Sequence, residues 1–146
     1  MSRHPSHAGS RLLEEHLDLE RKLAEVRQVL EASDANPKAI VRELVLLTRQ
    51  VLAHFRREEE GGYLAEAVEA APRFKDVATK LKNQHPEFVH RLDLLESLAA
   101  VGDGSARWRQ QLTAMYEDFL KRFEEHEHAE NRLVQEAFNV DVGAED

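Results

Sequence analysis

Apolar side chains recur at steps of three and four along four stretches of the chain, the spacing that gathers residues onto one face of a helix. The first stretch runs from about Ser10, placed as an N-cap, to Ala32, with Leu12, His16, Leu19, Leu23, Val26 and Leu30 facing inward. The run Ser33–Pro37 breaks it. A second begins at Pro37, a good first-turn residue, and stops near Gly61 and Gly62; its inward positions are Ile40, Leu44, Leu47, Val51, His54 and Glu58. A third starts between Pro72 and Val77 and carries Phe74, Ala78, Leu81, His85, Phe88, Leu92 and Leu95. Pro86 inside it predicts a kink or a late start. The fourth covers about Ala106 to Phe138, with Leu112, Tyr116, Phe119, Phe123, His126, Glu130, Leu133 and Ala137 inward. Short connectors predict an all-α, up-down-up-down antiparallel four-helix bundle over residues 10–138, with loose tails at 1–9 and 139–146.

Composition narrows the function. A chain of 146 residues suits one domain, and its Leu, Ala, Glu, Arg and Lys content favours helix. A net charge of −8 speaks against a nucleic-acid partner. No apolar run is long enough for a membrane, and the opening MSRHPSHAGS has no apolar signal core, so a cytoplasmic location is expected. The chain has no cysteine, which excludes disulfides, thiolate metal sites and cysteine nucleophiles. It has eight histidines, and these need an account.

Each predicted helix places one histidine on its inward stripe: His16, His54, His85 and His126. Two are followed four residues later, on the same face, by a glutamate: Glu58 and Glu130. In an antiparallel bundle all six lie near one end at roughly one level, with His85 about a turn deeper unless the third helix starts late. Buried charge is costly unless it is paired or bound to metal. The two glutamates occupy positions where the pattern otherwise puts Leu or Val. Carboxylates can bridge two cations while imidazoles cap them, and a histidine and carboxylate set without sulfur suits iron, manganese or zinc.

The series His16, His54-x-x-x-Glu58, His85, His126-x-x-x-Glu130 resembles the hemerythrin-like, HHE cation-binding domain. That resemblance implies a non-haem di-iron centre with an oxo or hydroxo bridge, both glutamates spanning the irons, His16 and His54 capping one and His85 and His126 the other. Manganese or zinc are possible substitutes. Oxygen carriers of the family have a further histidine four residues from the one on the third helix; here Leu81 and Val89 stand at those places, and Asn131 stands where their fourth helix has an aspartate. The two irons are therefore expected to be evenly and incompletely coordinated, as in the sensing and stress-response branch. The implied ligand is oxygen, nitric oxide or peroxide. Sensing or binding is favoured over a di-iron enzyme of oxidase, peroxidase or nitric oxide-handling type, and over reversible oxygen carriage.

The remaining candidates take blander expectations. Glu59 and Glu60 read as a charged helix end, Glu20 as a solvated partner of nearby cations, and Tyr63 and Tyr116 as packing. His4 and His7 fall in the loose tail, and His90 and His128 face solvent. Phe55, Phe88, Phe119 and Phe123 belong to the core, where they keep the cluster dry.

Overall fold

The computed structural model describes the backbone of residues 6–138 and side chains from Ser10 onward. The expectations for residues 1–5 and 139–146, and for the side chains of His4 and His7, lie outside the described residues. Six α-helices follow one another: α1 (Ser6–Glu31), α2 (Pro37–Glu59), α3 (Tyr63–Ala70), α4 (Lys75–Lys82), α5 (His85–Ala100) and α6 (Ala106–Ala137), with a 3₁₀ turn at Pro72–Phe74 before α4. There is no strand among the described residues, and no described helix is long and apolar enough to cross a membrane.

Local chemistry sets most helix ends. The α1 helix starts at Ser6, so Ser10 lies inside it and is not its cap. Asn36 caps α2 by accepting the Lys38 backbone N–H at 2.8 Å, and Pro37 occupies the first turn. At the other end Gly61 takes φ +91, and Gly62 passes so close to the preceding turn that a Cβ there would sit 2.2 Å from the Arg57 carbonyl oxygen. Ser105 caps α6, its Oγ accepting the Trp108 backbone N–H at 3.2 Å.

The third predicted helix is two. Its stripe runs through α4, breaks at Asn83–Gln84, and resumes in α5 with Pro86 in the first turn. This is the late start that brings His85 up to the level of the other inward histidines. The α3 helix was not expected; at eight residues, with Tyr63, Leu64 and Ala67 buried, it is too short to show a stripe.

The helices α1, α2, α5 and α6 form a closed ring in which each packs on the next, and α6 packs back on α1. Its core runs from Leu30, Ile40, Ala99 and Trp108 at one end to Leu19, Val51, Phe88 and Phe123. The α3 and α4 helices lie against α6, with α3 also touching α1 and α2. They close the other end with two small apolar clusters, Leu12, Tyr63, Ala67 and Val134 in one, Leu64, Ala78, Leu81 and Leu133 in the other. A polar layer lies between the main core and this cap. Tyr116, expected as packing, is fully buried in the main core and donates its hydroxyl to the Leu23 carbonyl at 2.7 Å.

Leu44 is fully buried in the main core, ten residues before His54 on the same helix. Leu44→Ala is expected to lower unfolding stability by about 2–5 kcal/mol, because the ring cannot collapse fully onto the cavity. Urea denaturation should show a lower midpoint with an unchanged slope.

Candidate metal centre

The polar layer is built from one turn of each ring helix. His16 comes from α1, His54 and Glu58 from α2, His85 from the first residue of α5, and His126 and Glu130 from α6. All six are buried, with Glu130 completely so. The structure thus brings together every residue that the inward stripes singled out.

Their contacts follow a consistent rule. Glu58 presents Oε2 to His54 Nε2 and Oε1 to His85 Nε2, both at 3.0 Å. Glu130 presents Oε1 to His16 Nε2 at 3.1 Å and His54 Nε2 at 3.7 Å, and Oε2 to His126 Nε2 at 2.8 Å and His85 Nε2 at 3.8 Å. Each carboxylate therefore turns one oxygen to each pair of rings. Donor atoms of His16, His54, Glu58 and Glu130 all lie within 4.8 Å of one another, as do those of Glu58, His85, His126 and Glu130.

Of these approaches one, His16 Nε2 with Glu130 Oε1, is a hydrogen bond. Nε2 of His54, His85 and His126, both oxygens of Glu58 and Oε2 of Glu130 are buried without a hydrogen-bond partner. Such atoms are rare in folded proteins unless something else satisfies them. They fall in the two groups of mutually close donors, which share Glu58 and Glu130. Two donors about 2.1 Å from one cation and at right angles to each other lie ~3.0 Å apart, which is the spacing found. The donor set fits a pair of borderline or hard cations of the iron, manganese and zinc type.

The outer side of the rings explains how they are held. His54 Nδ1 meets Glu15 Oε1 at 2.6 Å, His85 Nδ1 meets Glu59 Oε2 at 2.7 Å, and His126 Nδ1 meets Gln84 Oε1 at 2.6 Å. A carboxylate or amide oxygen only accepts, so each Nδ1 carries a proton and Nε2 is left as the inward atom that a cation would take. Glu15 also accepts from Arg57 Nε at 2.8 Å and from the Tyr63 hydroxyl. Phe55 stacks on His85 with ring centroids 3.7 Å apart, fixing that ring's plane.

Several of these residues were not expected in the site. Glu59 supports His85 and is more than a charged helix end. Tyr63 reaches the site through Glu15 and is more than packing. Glu15 and Gln84 had no assigned role, and Glu127 is buried at 3% exposure beside His16. Each of Glu15, Glu59, Gln84 and Glu127 is the sequence neighbour of an inward histidine or glutamate, and that adjacency is the signal that could have found them. Glu20, His90 and His128 are exposed, as expected.

The charge balance of the layer sets its protonation. Burial pushes His54 down, but the carboxylates of Glu130, Glu15 and Glu58 carry it up to about 12. Burial likewise opposes His85, and Glu130, Glu58 and Glu59 raise it to about 9. Burial pushes Glu130 up, yet the surrounding His126, His16, His54 and His85 hold it well below the usual carboxylate range. Glu15 is pulled down to about 2 against its burial by His54, Tyr63 and Arg57. Glu127 is pushed the other way, up to about 9, by burial and then by the charge of Glu130.

A family model described as the hemerythrin HHE cation-binding domain matches residues 7–138. No curated protein and no solved structure matches the chain.

Two expectations follow from this geometry. Glu59→Ala should weaken metal binding by roughly 10–100-fold, the usual cost of losing a ligand's outer partner, while Glu60→Ala should leave it unchanged. Equilibrium titration of the two variants checks this, and equal affinities would remove Glu59 from the site. The second concerns pH. In the metal-free protein His54 and His85 hold their Nε2 protons at neutral pH, and a coordinated ring cannot, so uptake must release protons. Apparent affinity should therefore climb with pH through neutrality, less steeply above about 9, where His85 loses its proton unaided, and go on rising towards about 12, where His54 does. Calorimetry in buffers of different ionisation enthalpy measures the protons released.

Proposed function

The chain belongs to the hemerythrin HHE cation-binding family, and on that premise we propose that it holds a pair of non-haem iron ions with which it binds or senses a small ligand of the oxygen, nitric oxide or peroxide type. His16 and His54 would hold one ion, His85 and His126 the other, and Glu58 and Glu130 would span both. The observation that carries this reading is the set of buried, unpartnered nitrogen and oxygen atoms gathered in two groups of close donors that share both glutamates. When bound, the ions supply electron transfer and open coordination positions for a small molecule.

The chain's own residues do the rest. The outer acceptors Glu15, Glu59 and Gln84 keep the rings in one tautomer and orientation. Phe55, Phe88 and Phe123 pack around His85 and His126 and limit the access of water. The α3 and α4 helices close the end above the layer. Iron is favoured over zinc because paired imidazoles on facing helices, with carboxylates that would span two ions, suit a redox pair, whereas one structural zinc would need only four of the six donors.

Protein loaded anaerobically with ferrous iron is expected to hold about two irons per chain, since the two donor groups share both glutamates. Glu58→Ala should reduce that content sharply. Elemental analysis after removal of loosely bound metal measures both, and a wild-type value near zero would overturn the reading. A binding or sensing role further predicts a spectral response to oxygen or nitric oxide that saturates at one event per iron pair. Sustained consumption of many equivalents of peroxide would instead assign the centre to an enzyme.

A further inference from the structure

All six residues of the polar layer are buried, so an ion reaches them only by displacing a side chain. Three of the four inward histidines lie more than one turn from either end of their helices, but His85 is the first residue of α5. Helix ends open at the least cost, so His85 is the ligand that can turn aside while the others stay in place. Glu59, which holds its Nδ1, is the last residue of α2 and precedes the turn at Gly61 and Gly62. Both line a groove of about 530 Å³ between α2 and α5, together with Glu60, His90 and Asp93. Three carboxylates stand there against one guanidinium, that of Arg56. Glu60, His90 and Asp93 are exposed and form no ion pair among the described residues. Glu59 belongs to both places, since its side chain is 42% exposed and also touches His85 Nδ1 at 2.7 Å. A second groove, of about 310 Å³ between α5 and α6, is lined by His126. There Glu87 and Glu125 are matched by Arg91 and Arg122, and His126 lies deep inside α6.

We propose that divalent cations enter the layer through the groove between α2 and α5, drawn in by Glu60, His90 and Asp93, passed to Glu59 and admitted past His85. The inference rests on the metal-binding reading above. A cleft lined by excess negative charge raises the local concentration of cations and the rate at which they arrive. Glu59 then exchanges its hydrogen bond with His85 for the arriving cation, and the freed ring turns aside. Glu58 is the first inner carboxylate beyond it, next to Glu59 in sequence and with Oε1 3.0 Å from His85 Nε2. The ring closes by presenting Nε2 to the layer and returning Nδ1 to Glu59. Entry and exit cross the same barrier in opposite directions. A change confined to the outer groove therefore alters both rates by one factor and leaves the equilibrium affinity where it was, in keeping with the indifference expected of Glu60→Ala.

Stopped-flow uptake of cobalt(II) by the metal-free full chain, and release of bound cobalt into excess chelator, test the route. Glu60→Gln combined with Asp93→Asn should slow uptake and release alike by roughly 3–10-fold at low ionic strength, with the equilibrium affinity unchanged. The difference should shrink as salt is added. Both positions are exposed, so the fold is not at stake. Glu87→Gln combined with Glu125→Gln removes the same charge from the exposed rim of the other groove and should leave both rates as in wild type. Wild-type rates in the first double variant would overturn the proposal, and so would an equal slowing in the second. Slower uptake with unchanged release would make Glu60 and Asp93 holders of a bound ion and not its passage, which also overturns it. Val89→Trp gives an arm independent of charge: Val89 is half-buried in the groove wall, and the added bulk should slow both rates at every salt concentration. Wild type that takes up no cobalt at all would overturn the metal-binding reading itself, an outcome distinct from uptake at a rate indifferent to the groove.

Discussion

Two carboxylates buried in one layer, Glu58 and Glu130, impose the constraint on which the rest of this structure is organised. Neither side chain has access to water. An ionised carboxylate in such a place requires positive charge at contact distance, and four imidazoles from four helices supply the frame that can hold it. The same demand fixes the level at which each helix contributes. His16 sits between Leu12 of the cap and Leu19 of the main core, and His126 and Glu130 between Phe123 and Leu133. The apolar material is thus divided into a long core below the layer and a thin cap above it, with the polar groups confined to the seam.

The imidazoles in turn depend on their outer partners. A histidine facing a cation is useful only when its other nitrogen is fixed, and three of the four rings achieve this through a residue on the neighbouring ring helix or at its start. Glu15 is the most heavily supported of these acceptors. Arg57 neutralises it from the surface and Tyr63, at the start of α3, donates to it from the cap. The cap helix is thereby tied to the ligand shell by a polar contact as well as by apolar packing. At His85 the support is of another kind, since Phe55 covers the flat face of the ring while Glu59 anchors its edge. These arrangements make the layer a product of all four ring helices at once.

Much of this was legible in the sequence because helices report their own faces. A spacing of three and four places His54 with Glu58 and His126 with Glu130 on one side of one helix, and this relation is local and needs no neighbour. The inward stripes, the break at Ser33–Pro37 and the stop at Gly61 and Gly62 belong to the same local physics of periodicity, capping and backbone freedom. What the sequence left open was everything that depends on which helix stands beside which. Pro86 allowed either a kink or a late start, and the structure has two helices, with α4 packed against α6. Tyr63 and Glu59 looked like packing and solvated charge, because nothing along the chain says that Glu15 or His85 stands opposite them. Glu15, Gln84 and Glu127 each flank an inward residue by one position, turned about 100° from it around the helix axis. Whether such a turn delivers a side chain to solvent or to the ring of a neighbour depends on the rotation and order of the helices. That is set by the summed packing of the whole core, which only the tertiary structure expresses.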